Sequence, residues 1–468
     1  MRGADGNMTV TLVLPLSIAD ELGEAARSPL ETAGVLLGTV IQTDGGDLRI
    51  LGREISWVAD SAYARRETTG LSIASHGYVH ALGRAEELGA SAIWLHTHPG
   101  IHGVPTPSLH DRRVDRELAD LFRLRSGSTY YGALVVSPRP IGIAFTGHLR
   151  PDGGEESRIE RLWVVGDRHR FARAFDSRAS ALPALFDRNI RAFGSGVQEA
   201  LGELHAAVVG CGGTGSVVAE QLVRLGVRRF TLIDPDRLSD TNLTRVYGST
   251  PSDVGRPKVI VVAEHLARIA PDARIDSVQS SVVLEAAARQ LTQCDVVFGC
   301  TDDNAGRVVL SRIATYLLTP VIDCGVLLSA NSEGQLTGID GRVTVLAPGA
   351  ACLVCRGRID LSRASAELLT PQERKRREDE GYAPALGNTE PAVVTFTTGV
   401  GAVAVGELLE RLVGYGPDPR PTEILVRFHD REVSTNIASP RERHYCHPAS
   451  GKLGHGTAVP FLEQTWPT

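Results

Sequence analysis

The apolar run AAVVG at 206–210 passes directly into Gly210-Cys-Gly-Gly-Thr-Gly215 and then into a helical stretch. An apolar strand that turns on glycines into a helix is the start of a βα unit. Glycine permits the tight turn and lets the backbone approach a ligand closely, and the first N–H groups of the helix face phosphate. Further short apolar runs occur at FTLID (230–234), DVVFG (295–299) and PVIDCG (320–325), each separated by helical sequence. Strands apolar along their whole length are buried on both faces of a parallel sheet. From about residue 201 the chain therefore reads as α/β with a mostly parallel sheet. A final helix is expected over roughly 392–412, with no strand between Arg356 and Gly387.

The glycine turn alone fits a nicotinamide-binding dehydrogenase as well as any other nucleotide site, and Asp234 at the end of the next strand could take ribose hydroxyls in either. The residues downstream of the turn separate the two. Asp234-Pro-Asp236, then Thr-Asn242-Leu-Thr-Arg245, then Lys258, then Cys300-Thr-Asp302-Asp303-Asn-x-x-Arg307 supply cations and carboxylates that hydride transfer does not use.

Residues 8–150 show another pattern. TVTLVLP, LRILGREISWV, SAIWLHTH, YYGALVVS and IGIAFTG read as strands, and 109–124 as an amphipathic helix opened by Ser108. His96 and His98, at i and i+2 on an extended segment, point to one side. Asp111, thirteen residues after His98, can fold back to them. Two imidazoles and one carboxylate leave a tetrahedral zinc with an open position, the arrangement of a catalytic metal. Glu31, upstream in LETAGVLLG, supplies a base. The bland reading of Ser108-x-x-Asp111 is a helix capping box, which is compatible with the other role.

The order of elements from the glycine turn to Arg307 resembles the ThiF-type adenylyltransferases, the family of the ubiquitin-activating enzymes and their relatives in thiamine and molybdopterin synthesis. The resemblance covers roughly 185–415 and implies a Rossmann-like adenylation domain that uses ATP and Mg²⁺. It implies that the turn with Gly210, Gly212, Gly213 and Gly215 and the Asp234-Pro-Asp236 segment bind the nucleotide, with Gly213 and Asp234 holding the adenosine. Asn242, Arg245 and Lys258 would contact the phosphates, and Asp302, with Asp303 beside it, would hold magnesium. Arg188 in FDRNIRAFG matches an arginine that the family reaches across a homodimer to the partner's ATP. The substrate implied is a ubiquitin-like or sulfur-carrier protein ending in glycine. Two departures stand out. No cysteine lies between Cys355 and Cys446, so the crossover thioester cysteine of ubiquitin-activating enzymes is missing. Of the family's two Cys-x-x-Cys zinc pairs, Cys352 and Cys355 match the first, and the second is reduced to Cys446 with His444 or His447 beside it. Cys300 and Cys324 read as core residues.

The first region resembles the JAB/MPN (JAMM) metalloproteases, α/β domains that remove ubiquitin or its relatives. That resemblance implies zinc on His96, His98 and Asp111, with Glu31 handling the proton of the attacking water and Ser108 stabilising the oxyanion. Nine residues separate His98 from Ser108, where the family usually has about seven. The insert brings His102 as a competing ligand, ranked below Asp111.

At 468 residues and a net charge of −6, with 22% charged residues, nothing marks a nucleic-acid or membrane binder. MRGADGNMTV carries no apolar signal run, and the seven cysteines are few for the length, so a cytoplasmic protein is expected. The expected organisation is a JAB/MPN domain at 1–155, a linker and arm at 156–200 read as a helix pair, an adenylation domain at 201–445 and an irregular tail at 446–468. The combined reading is a zinc peptidase that trims or removes a modifier, fused to an enzyme that adenylates the modifier's exposed glycine. A conjugating enzyme's cysteine is one acceptor for the adenylate. Alternatives are a sulfur-carrier adenylyltransferase in biosynthesis, and a non-catalytic first domain that docks the modifier.

Overall fold

A computed structural model of the chain describes residues 8–101, 103–174, 182–331, 333, 335–379, 392–456 and 459–467. The described residues form two compact units, one from Met1–Ala181 with Gly451–Ala458 and the other from Leu182–Ser450 with Val459–Thr468.

In the first unit Val10–Pro15 pairs in parallel with both Leu48–Trp57 and Ser157–Val165, so the eight-stranded sheet closes on itself. All five expected strands form. Ala33–Gln42, Ser157–Val165 and Arg170–Arg173 complete the sheet, and Tyr63–Glu67 with Gly70–Ile73 forms a separate hairpin. The sheet buries both faces. Leu12, Leu36, Leu95 and Phe145 pack with the helix Leu16–Arg27 on one side. Trp94, Leu82, Leu118 and Phe122 pack with the helices His76–Leu88 and Leu109–Ser126 on the other. The strand Ser91–Thr97 divides its side chains between these cores by its period of two: Ile93 and Leu95 one way, Ala92 and Trp94 the other. His96 falls on the Trp94 side.

The expected boundary at 155 is corrected. Ser157–Val165 pairs with the first strand and Arg170–Arg173 pairs with it in turn. The arginines of RIERLWVV disguise a strand whose Leu162–Val165 stretch is fully enclosed. Of the helix pair expected over 158–200, only the later part forms, as Asp187–Phe193 and Ser195–Glu203. The tail divides too, since Cys446 belongs to the second unit and the described residues of Gly451–Ala458 to the first. There Arg53 Nη2 donates to the Gly451 carbonyl at 2.8 Å.

The second unit is the expected α/β fold. Its sheet runs Arg274–Val278, Arg229–Ile233, His205–Val209, Val296–Gly299, Val321–Ala330, Leu336–Leu346, Glu423–Arg427, Glu432–Asn436. The first four pairings are parallel and the last three antiparallel. From His205–Val209 the chain builds outward in one direction and later returns to add Val296–Gly299 on the other side. That reversal opens a crevice at the carboxyl ends of these two strands, where ligands of open α/β sheets bind. The glycine turn sits there. The final helix forms at Val394–Val413 and packs on the helix Gly213–Leu225, where a Cβ on Gly401 would meet Val217 at 3.0 Å. Among the described residues no helix is long and apolar enough to cross a membrane.

Two glycines of one turn should behave differently. A Cβ on Gly215 would lie 1.8 Å from the Gly210 carbonyl oxygen, whereas one on Gly212 meets nothing within 4 Å. Gly215→Ala is expected to destabilise the second unit by roughly 2–3 kcal/mol, the cost of overpacking, and Gly212→Ala by less than about 1 kcal/mol. Denaturant unfolding of the two variants checks this.

Candidate functional site

In the first unit the sequence-predicted residues converge. His96 and His98 present Nε2 atoms 3.2 Å apart from the end of their strand. Asp111 approaches from the first turn of Leu109–Ser126, 3.5 Å from His96 and 3.6 Å from His98. The three donor atoms lie within 4.8 Å of one another, close enough to share one ion. Glu31 Oε1 stands 3.9 Å from His98 Nε2. His102 lies outside the described residues. Ser108 and Asp111 do form the capping box: the Asp111 N–H donates to Ser108 Oγ at 3.1 Å and the Ser108 N–H to Asp111 Oδ2 at 2.6 Å. The cap fixes Asp111 while leaving its Oδ1 towards His96, and Ser108 keeps its own O–H to donate.

The electrostatics distinguish the two carboxylates. Burial pushes Glu31 up to about 7, with His98 opposing and Asp111 adding to the rise. Burial also pushes on Asp111, but contacts with His96 and His98 outweigh it and hold that carboxyl well below its usual range. One acid is thus a poised proton acceptor and the other a permanent anion facing two imidazoles. The donor set suits zinc, with two nitrogens, one oxygen and room for a fourth ligand. All four residues line a cavity of about 600 Å³.

Sequence reasoning missed the clamp on Glu31. Its N–H donates to the Glu67 carbonyl at 2.9 Å, and its own carbonyl accepts from Arg66 Nε at 2.9 Å. Arg66 also reaches Thr32 Oγ1 at 2.8 Å and lies over the Tyr63 ring. The hairpin Tyr63–Glu67/Gly70–Ile73 therefore sets the position of Glu31. The alternation in YARRE was the available signal, diluted by its arginines.

In the second unit the glycine turn is a hub. A Cβ on Gly210, at φ +93°, would strike the Cys300 carbonyl at 2.5 Å, so two loops touch backbone to backbone there. Asp234 lies beneath the turn and accepts from the N–H of Cys211 at 2.6 Å and of Asp236 at 2.8 Å. Burial raises its pKa against the pull of Lys258. Lys258 Nζ pairs with Asp236 at 2.7 Å. The stem of Arg245 packs on Gly213, its Cδ 3.2 Å from where a Cβ would be, and its guanidinium bonds the Thr241 carbonyl at 2.9 Å. Asn242 closes the short turn Asp240–Asn242, accepting from Ser239 N–H at 3.2 Å.

Asp303 is engaged as N-cap of the helix Asn304–Tyr316, whereas Asp302 is exposed and makes no hydrogen bond among the described residues. Arg307 pairs at 3.3 Å with Asp323, a fully buried carboxylate also held by Arg342 at 2.5 Å. Neither Asp323 nor Arg342 was singled out from sequence; together they brace the helix that begins just after Asp302. Cys324 is buried within its strand and Cys300 is only partly so. Arg188 is the outlier. It is exposed on Asp187–Phe193 and makes no hydrogen bond or ion pair among the described residues.

Cys352, Cys355, His444 and Cys446 form a third group, all four donor atoms within 4.8 Å. His444 Nδ1 is 3.6 Å from Cys352 Sγ and 3.2 Å from Cys446 Sγ, and Cys355 Sγ is 3.6 Å from Cys446 Sγ. These edges are close to those of a tetrahedron around zinc. The geometry selects His444 over His447, whose Nδ1 accepts from the Ala449 N–H at 3.1 Å. Cys355 Sγ also accepts from the Arg441 N–H at 3.4 Å, as a thiolate ligand would.

The ThiF family matches residues 186–447, more than half of the chain, and the chain belongs to that family. Over 151 residues it is 30% identical to the sulfur carrier protein ThiS adenylyltransferase of Escherichia coli, covering 32% of this chain and 56% of that protein. Over 228 residues it is 29% identical to the molybdopterin-synthase adenylyltransferase of the same organism, covering 48% and 80%. Over 174 residues it is 29% identical to ubiquitin-like modifier-activating enzyme 5 of Arabidopsis thaliana, covering 34% and 38%. The chain thus spans little more than half of the first relative and well under half of the third.

The metal groups give an expected outcome. The purified chain should carry two equivalents of zinc. His444→Ala should lose one equivalent and lower the unfolding temperature, while His447→Ala retains both. Elemental analysis with thermal unfolding checks this.

Proposed function

We propose that the second unit adenylates the C-terminal glycine of a ubiquitin-like or sulfur-carrier protein, and that the first is a zinc-dependent peptidase that exposes or releases that glycine. The observation that carries the peptidase half is the convergence of Glu31, His96, His98 and Asp111 on one cavity. The adenylation half is supported by family membership and by the way Asp234, Arg245 and Lys258 gather around the glycine turn.

In adenylation the glycine carboxylate attacks the α-phosphate and pyrophosphate leaves. Negative charge builds on the phosphates, and Arg245 and Lys258 are the cations placed to neutralise it. Magnesium, for which Asp302 is the exposed carboxylate, would add to that neutralisation. Arg188 would serve a second copy's site in a homodimer, which accounts for an exposed arginine that makes no hydrogen bond or ion pair among the described residues. In the peptidase, zinc would acidify a water and polarise the scissile carbonyl. Glu31 accepts the water's proton and returns it to the leaving amine, and the Ser108 O–H donates to the developing oxyanion.

A sulfur-carrier role rests on the names of two relatives, the ThiS and molybdopterin-synthase adenylyltransferases. It differs from protein conjugation in the acceptor, a persulfide sulfur rather than a conjugating enzyme's cysteine.

Modifier-dependent ATP–pyrophosphate exchange tests the second unit. Arg245→Ala should lower it about a hundredfold or more, the usual cost of one charge-stabilising donor. Exchange unaffected by Arg245→Ala would count against the assignment. For the first unit, Glu31→Gln should lower peptide cleavage by roughly 10²–10⁴ at unchanged zinc content. A base must be deprotonated to act, so cleavage should rise with pH. Glu31 stands at about 7 without metal, and a bound cation favours the carboxylate, so the midpoint should lie no higher than that.

A further inference from the structure

The cavity that holds Glu31 and the two histidines has a second end. Trp94, His96 and His98 lie on one face of their extended segment, so Trp94 sits one pleat, about 7 Å, from His96. Asp111, Val114 and Leu118 fall at i, i+3 and i+7 on one face of their helix. Leu71 and Ile73 of the hairpin and Tyr78 of His76–Leu88 also line the cavity, with Thr68, Thr69 and Ser72 of the hairpin segment beside them. The Tyr78 and Trp94 rings meet edge to face with centroids 6.4 Å apart. One cavity thus runs from the candidate metal ligands to an apolar slot one side chain's reach away. Its floor and wall are themselves buried, Trp94 at 5% exposure and Leu118 at 8%. Of the two carboxylates that this helix gives to the lining, Asp111 stands at the metal end, and Glu117 is exposed and pairs with Arg113 at 3.0 Å.

From this slot we infer that the peptidase selects a bulky apolar side chain on the residue immediately after the scissile bond. The inference rests on the peptidase reading above. On that reading the acyl product ends in glycine, which has no side chain to offer. A side chain reaching the slot beside the scissile carbonyl therefore belongs to the leaving amine. An apolar group there is transferred from water to aromatic and aliphatic walls, while a charged one loses its hydration without gaining a partner. The substrate class is a modifier precursor, or an adduct, in which glycine is followed by leucine, phenylalanine or a residue of similar character.

The test uses the full chain loaded with zinc and a set of peptides Gly-Gly-X, with X phenylalanine, leucine, alanine, lysine or aspartate. Calorimetric binding to the Glu31→Gln protein is read alongside cleavage by the unsubstituted protein. Phenylalanine and leucine peptides should bind ten- to a hundredfold more tightly than the aspartate peptide, and kcat/KM should track that order. Leu71→Asp, on the partly exposed hairpin, should reduce this discrimination and improve the lysine peptide. Cleavage of all five at similar kcat/KM, or a preference for alanine or lysine, overturns the inference and leaves the peptidase reading standing. Absence of both cleavage and binding for every peptide overturns both.

Discussion

The close backbone contact at the Gly210–Gly215 turn is the constraint around which the second unit is arranged. The turn leaves no room for a Cβ at Gly215 against the Gly210 carbonyl, or at Gly210 against Cys300. Because the chain comes this close, the Cys211 N–H reaches Asp234, the stem of Arg245 lies on Gly213, and Asp302 emerges two residues beyond the Cys300 contact. Each polar residue in the crevice is placed by the turn or by a neighbour it fixes. Asp323, buried between Arg307 and Arg342, extends the bracing into the sheet. Fully buried, its carboxylate depends on both guanidiniums.

The first unit achieves the same end through strand periodicity. Ser91–Thr97 is enclosed along its whole length, with apolar side chains packed on both faces, and His96 comes after Trp94 on one of them. A polar pair emerges only where the strand runs out, at the end facing the helix cap formed by Ser108 and Asp111. The cap that starts that helix is also what holds the third candidate ligand. Structural economy and chemistry coincide, which is why the bland and functional readings of Ser108-x-x-Asp111 do not compete.

The features legible in the sequence were local. The glycine turn, the His-x-His pair and the Cys-x-x-Cys pair each declare themselves within a few residues, because the backbone or the donor set demands those residue types at that spacing. The illegible features depended on pairing across long separations. Ser157–Val165 reads as an arginine-rich arm until the first strand of the chain is placed beside it. The antiparallel half of the second sheet, Leu336–Leu346 with Glu423–Arg427 and Glu432–Asn436, mixes Thr, Gly, Asp and Arg into its strands and gave no apolar run longer than three residues. The choice between His444 and His447 turned on which side of a tight turn each imidazole falls. Arg66 reaches Glu31 only because a hairpin, unseen in the sequence, folds over it.

The central claim is that both units act in order on one modifier: the first exposes the glycine whose carboxylate the second adenylates. The direct measurement is pyrophosphate release from ATP by the full chain, supplied with a modifier precursor extended beyond its terminal glycine. The account predicts release with the unsubstituted protein, none with Glu31→Gln, and recovery in that variant when the modifier is supplied already trimmed. Release from the extended precursor irrespective of Glu31, or none from the trimmed modifier, would contradict it.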